Sequence, residues 1–135
     1  MLKLMKYIPL LLLLSFVQAN GQEGNNIWKG NKSYSDRNYD EAQMAYQRSM
    51  ELAPSEDAAY NLANTLYKKQ NYEEAAKAYN GIAQSSEDKL KKAEAYHNLG
   101  NSDLKSKQLD KGIEAYKNAL RNNPKDEDTR YNLSY

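Results

Sequence analysis

The sequence contains no cysteine, and only one of its 135 residues is histidine. Without cysteine there is no disulfide framework, no thiolate metal site and no acceptor for a lipoprotein anchor. A lone histidine, His97, excludes imidazole pairs and multi-histidine metal sites, and its place before Asn98 suits a surface contact better than catalysis. No glycine-rich phosphate loop occurs. Neither sign of charge dominates, with 19 basic against 18 acidic residues and no basic stripe, which argues against nucleic acid as a partner. The apolar run Ile8 to Val17 is also short. Ten helical residues reach about 15 Å at ~1.5 Å each, roughly half of a ~30 Å hydrocarbon core.

What the chain does contain is repetition. In Ala59 to Tyr79 (AYNLANTLYKKQNYEEAAKAY), Leu62, Ala63, Leu66 and Tyr67 share one helix face, and Ala75, Ala76 and Tyr79 share a second. The polar break Lys69-Gln70-Asn71 separates them, and Asn71 followed by Glu74 predicts a capping-box start for the second helix. Small residues before the break fall at Gly30, Ala63 and Gly100, and after it at Ala42, Ala75 and Gly112. Tyr46, Tyr79 and Tyr116 keep the same step. Each series advances by 33 and then 37 residues, so three sets share one period with a local insertion. Helix pairs at about 34 residues bury their apolar faces only by stacking on neighbours.

The marks KGNKSY, NLANTLY and NLGNSDL on first helices, with YDEAQMAYQRSMELAP, YEEAAKAYNGIAQ and LDKGIEAYKNALRNNP on second helices, resemble the tetratricopeptide repeat (TPR) family from Asn25 to Tyr135. The resemblance implies an all-α TPR solenoid of three antiparallel helix pairs plus a partial fourth first helix. It also implies a non-catalytic scaffold that takes a protein or extended peptide in its concave groove and needs no cofactor. The export signal, three repeats and the ending KDEDTRYNLSY further resemble the periplasmic TPR proteins of the Bacteroidetes aerotolerance (Bat) group. That resemblance would make the partners membrane proteins with von Willebrand factor A domains.

In chain order, residues 1–21 read as a secretory signal: Lys3 and Lys6, the apolar run, then small residues at Ala19 and Gly21. Cleavage falls after Ala19 or before Gln22, giving an exported, periplasmic chain; an uncleaved signal would instead anchor it to the inner membrane. Cutting before Gln22 leaves 17 basic residues of the 19, against 18 acidic. Repeats are expected at about 24–54, 55–86 and 87–124, with a partial one at 125–135. The first helix of repeat one is expected over Ile27 to Ser35, shortened at its start. Asn38 with Glu41 predicts the cap of its second helix, and Ser55 that of the next first helix. SSEDKLKK supplies a further cap at Ser85 or Ser86 and about one extra helical turn. Asp126, Glu127 and Asp128 open a last helix, where the dipole favours carboxylates.

The TPR resemblance places the groove on the first helices. Two residues before and one after each small residue come Trp28 and Asn31, Asn61 and Asn64, Asn98 and Asn101, then Asn132 and Tyr135. Amides can bond a peptide backbone without reading side chains. Asn61, Asn98 and Asn132 resemble the asparagine ladder of TPR superhelices that bind extended polypeptides; the alternative is that these amides only bond neighbouring helices or water. Tyr34, Tyr60, Tyr67 and Tyr131 join the same face, either stacking on a ligand or filling space between helices, packing being favoured, while His97 reads as a groove contact or a solvated side chain. Trp28 is either an anchor at the groove mouth or, as favoured, a shield over the first pair's exposed end. The carboxylate clamp of TPR co-chaperones is not reproduced. Asn31 and Asn61 match its asparagines, but its three basic positions fall on Ile27, Glu94 and Asn98, so a peptide carboxylate would lose its charge-assisted bonds. Self-association through the unfinished C-terminal face is the other non-catalytic reading.

Overall fold

The computed structural model describes the backbone of residues 8–134 and the side chains of residues 21, 22 and 24–134. Lys3, Lys6 and Tyr135, and the side chains of the apolar run, lie outside the described residues. Within them the chain is all-helical: α1 (Ile8–Ser35), α2 (Tyr39–Leu52), α3 (Glu56–Lys68), α4 (Tyr72–Ser85), α5 (Lys89–Lys105), α6 (Leu109–Asn122) and α7 (Glu127–Leu133). Two compact units divide it, Met1–Ala58 and Ala59–Tyr135.

Each pair is antiparallel because the chain turns within three residues. In the first unit Tyr34 meets Tyr39 edge-on at 5.4 Å, while Gly30, one turn earlier, lies against Tyr46, two turns later. In the second unit Tyr67 meets Tyr72 at 5.2 Å and Gly100 lies against Tyr116. There α4 packs on α5, α5 on α6 and α6 on α7, and Ala63, Leu66, Ala75, Tyr79, Ile82, Ala83 and Ala95 form one buried cluster. Small residues let the helices approach closely, and tyrosine rings fill what remains. A Cβ added at Gly100 would stand 2.6 Å from the Tyr116 ring, and one at Gly30 would stand 2.5 Å from that of Tyr46.

The turns correct the expected capping boxes. Neither Asn38 nor Asn71 makes a side-chain cap bond. Instead the residues before them, Arg37, Gln70 and Lys107 in the three repeats, adopt left-handed backbone with φ of 60°, 64° and 62°. Each closes its first helix with a Schellman pair of bonds, as in Gln70 N to Tyr67 O and Asn71 N to Leu66 O, both 3.0 Å. Asn71 then opens the next helix through its own carbonyl, which accepts from Ala75 N at 2.9 Å. The backbone makes both ends, so the third repeat can use Gln108 at this position.

Two further boundaries differ from expectation. α1 is one helix of 28 residues rather than a short one starting at Ile27. No proline lies between Ala19 and Ile27, and glycines such as Gly21 and Gly24 cost only about 1 kcal/mol each without breaking the ladder. The cap of α5 is Asp88, whose carboxylate accepts from Leu90 N and Lys91 N at 2.8 and 3.2 Å; Ser86 ends α4 and Ser85 belongs to it. Ser55 does cap α3, accepting from Ala58 N at 3.3 Å. No helix among the described residues is long and apolar enough to cross a membrane.

Gly81 differs from the packing glycines. It is exposed inside α4, and a Cβ there meets nothing within 4 Å. Gly81→Ala should therefore add about 1 kcal/mol of stability from helix propensity alone, measured by urea unfolding. Gly100→Ala should lose stability in the same assay, because the Tyr116 ring must move.

Candidate functional site

A tyrosine–asparagine pair recurs three times on the first helices, once in the first unit and twice in the second. Tyr46, Tyr79 and Tyr116 come from second helices, and their rings are buried. Each hydroxyl donates to the Oδ1 of an asparagine fifteen residues earlier: Asn31 at 2.7 Å, Asn64 at 2.6 Å and Asn101 at 2.6 Å. Burial of the ring explains why the Tyr46 hydroxyl is pushed up to about 12, with Tyr34 adding to the effect. A hydroxyl that keeps its proton is a permanent donor, so the amide oxygen is fixed and the amide presents its NH2. The constant spacing of fifteen was present in the sequence and names these pairs. Half of the predicted groove amides are thus bonded to the neighbouring helix of their own pair.

The remaining predicted residues sort as follows within the second unit. Asn98 Nδ2 donates to the Tyr60 hydroxyl at 2.6 Å, joining two successive first helices, and Asn132 stands near the Tyr116 hydroxyl, where burial raises the pKa and this amide acts to lower it. Tyr60 packs edge-on against Tyr79 at 5.8 Å; burial, then the nearby Glu94 charge, raises its pKa against the Asn98 bond. Tyr67 packs on Tyr72, Asn61 is half-buried, and Tyr131 is 62 % exposed. In the first unit Tyr34 packs on Tyr39. Trp28 is 61 % exposed with the Lys32 ammonium 5.8 Å from its ring centroid, so it does not seal the end of the first pair by burial.

His97 is not a solvated side chain. Its Nδ1 lies 2.6 Å from Thr129 Oγ1, and its ring rests 5.7 Å from that of Tyr116. Because the Thr129 hydroxyl donates to Asp126 Oδ2 at 2.6 Å, the histidine must donate to Thr129. The hydroxyl therefore stands between histidine and acid, fully buried, whereas a nucleophilic triad needs the histidine in the middle and the hydroxyl exposed. The relay docks α7, and Asp126 also caps that helix through Thr129 N at 3.0 Å. Burial acts to raise the Asp126 pKa, but the Thr129 bonds and His97 outweigh it and lower it. A lowered folded-state pKa adds stability above the unfolded value of about 3.9 and loses it as pH falls through the folded one. In acid, α7 should be released before the rest, with amide exchange at Thr129 and Arg130 accelerating ahead of that in α5 and α6.

A cleft of about 630 Å³ lies elsewhere, between α4, α5 and α6. None of the predicted residues lines it. Its wall includes the buried Asp103, a residue that the sequence reading did not single out. The signal was available: Asp103 stands in repeat register with Leu66 and Ser33.

Antiparallel helix pairs with Schellman turns and a small residue packed with Tyr46, Tyr79 and Tyr116 define a helical-repeat protein. The chain belongs to the tetratricopeptide repeat family, whose models match residues 30–89 and 93–126. The Protein STIP1 homolog of Dictyostelium discoideum is 33% identical over 109 residues, which cover 77% of this chain and 19% of that protein. The TPR2AB-domain:pHSP90 complex of yeast Sti1 superposes with a TM-score of 0.75 at 26% identity, covering 85% of this chain and 46% of that one. The second TPR domain of human RPAP3, in complex with the HSP70 peptide SGPTIEEVD, gives a TM-score of 0.76 at 20% identity, covering 86% and 95%.

Proposed function

We propose that this chain is a non-catalytic scaffold that holds a protein or extended peptide on its first-helix face. The carrying observation is the row of amides in the second unit: Asn64 and Asn101 are each locked by a buried tyrosine hydroxyl, and Asn98 is tied to Tyr60. Locked amides cost little entropy on binding, which favours a ligand held through its backbone. The likeness to TPR domains solved with heat-shock peptides supports a polypeptide ligand in general. It does not extend to that peptide, because Ile27, Glu94 and Asn98 stand where the clamp needs cations.

The amino-terminal residues support export, with cleavage after Ala19 or before Gln22. The aerotolerance-type resemblance supports an envelope complex with membrane proteins carrying von Willebrand factor A domains. Edman sequencing of the mature chain should begin at Asn20 or Gln22; a chain retaining its first residues in the inner membrane would favour the anchored alternative.

The binding test uses Asn61→Ala with Asn98→Ala. The far-UV circular dichroism should be unchanged, because both side chains are only half-buried. Affinity for the partner recovered from the native envelope should fall about tenfold or more. Unchanged affinity would remove the amide row from the interface. A mass that grows with concentration and no recovered partner would support self-association instead.

A further inference from the structure

We propose that the cleft between α4, α5 and α6 binds a basic side chain of a partner polypeptide, arginine or lysine, with the Asp103 carboxylate as its counter-ion. The site is separate from the first-helix face. Asp103 is only 7 % exposed and lines the cleft. Its backbone carbonyl accepts from Gln108 N, but no hydrogen bond reaches its carboxylate among the described residues. In the preceding repeat the same register position is Leu66, buried in the core cluster. Packing at this position is thus met by a leucine, whereas here a carboxylate with no hydrogen bond from the protein stands at the wall of the cleft, where it is only partly solvated.

The other charges of the lining do not meet the need. Glu114 is held by Arg121 at 3.1 Å and by Lys117 at 3.9 Å, both outside the cleft. Glu73, Lys77 and Lys111 are exposed, so water screens them. Burial raises the Asp103 pKa, and Lys111 offsets this without forming an ion pair. A cleft of about 630 Å³ admits a side chain with part of its backbone, within the ~300–1,000 Å³ usual for ligand sites. Asn80 and Gln84 add amide oxygens, and the Tyr96 hydroxyl already accepts from Gln84 at 3.2 Å. A guanidinium with five donors can meet one carboxylate and the neutral acceptors of Asn80, Gln84 and Tyr96 on the same cleft wall.

The test is an amide NMR titration of the whole chain at low ionic strength, with Nα-acetyl-arginine amide as probe and Nα-acetyl-glutamate amide as control. The arginine probe should give saturable shifts confined to the cleft residues of α4, α5 and α6. D103N should weaken it by roughly tenfold or more while keeping a folded spectrum. K111Q, which removes the nearest competing cation, should tighten it. The Asn61→Ala/Asn98→Ala variant should bind the probe as wild type does, which separates this site from the first-helix face. Absence of saturation, equal affinity in D103N, weaker binding in K111Q, or the same shifts from the glutamate probe would each overturn the proposal.

Discussion

Tyr79→Ala is expected to cost about 3–5 kcal/mol, enough to consume much of the ~5–15 kcal/mol that holds a domain of this kind together. The ring is 2 % exposed and belongs to the buried cluster with Ala63, Leu66, Ala75 and Ile82. It also takes the edge contact with Tyr60 and donates to Asn64. Removing it opens a cavity between a first and a second helix, and alanines on both sides are too small to collapse into it. In a stacked array each unit is stabilised by its neighbours, so the loss passes to α5 through the α4–α5 interface. Tyr79→Phe separates the two roles of the side chain. It keeps the ring and deletes only the hydroxyl, leaving a half-buried Asn64 oxygen that water can reach, for a cost of about 1 kcal/mol. Denaturant midpoints of the two variants decide the matter: a Phe variant as unstable as the Ala variant would place the stabilisation in the hydrogen bond rather than the packing.

The same residues show what the sequence carried. Intervals of 33 and 37 marked which small residue faces which tyrosine, and the four extra residues of the second interval are those by which α5, at 17 residues, exceeds α3, at 13. Those features were legible because burial acts on residue size, and size recurs at fixed spacing. The helix ends were not. Asn38 and Asn71 looked like caps by type, yet the left-handed residue before each already commits their backbone groups, and backbone geometry leaves little trace in residue identity. The groove was legible as a face but not as a set of free groups. The TPR resemblance and first-helix periodicity placed Asn31, Asn64 and Asn101 in the groove, with bonding to neighbouring helices as the alternative; their partners lie fifteen residues on, in another helix.

Asp103 is the complementary case, where a repeat array departs from its own pattern. Asp103→Leu is expected to raise stability by about 1 kcal/mol, the lower end of the ~1–3 kcal/mol by which a buried polar group without a hydrogen bond opposes folding, because the carboxylate oxygens keep contact with the solvent of the cleft. Leu66 shows that the position accepts the larger apolar side chain, since it sits 6 % exposed in the equivalent place. The gain should depend on pH, with a sign set by the raised pKa of the carboxyl group. Above the folded-state pKa the carboxylate is charged in both states and its burial penalty is complete. Below the ordinary aspartate value of about 3.9 it is protonated in both, and the part of the penalty that belongs to the charge is gone. The stability advantage of Asp103→Leu should therefore be largest at neutral pH and shrink as acid is added across that window, as read from urea midpoints at each pH. A residue that weakens the fold at neutral pH, where a leucine would strengthen it, is the pattern expected when a site is retained for binding at the expense of stability. An advantage that does not change with pH would instead make the effect one of side-chain size alone, with no part for the charge.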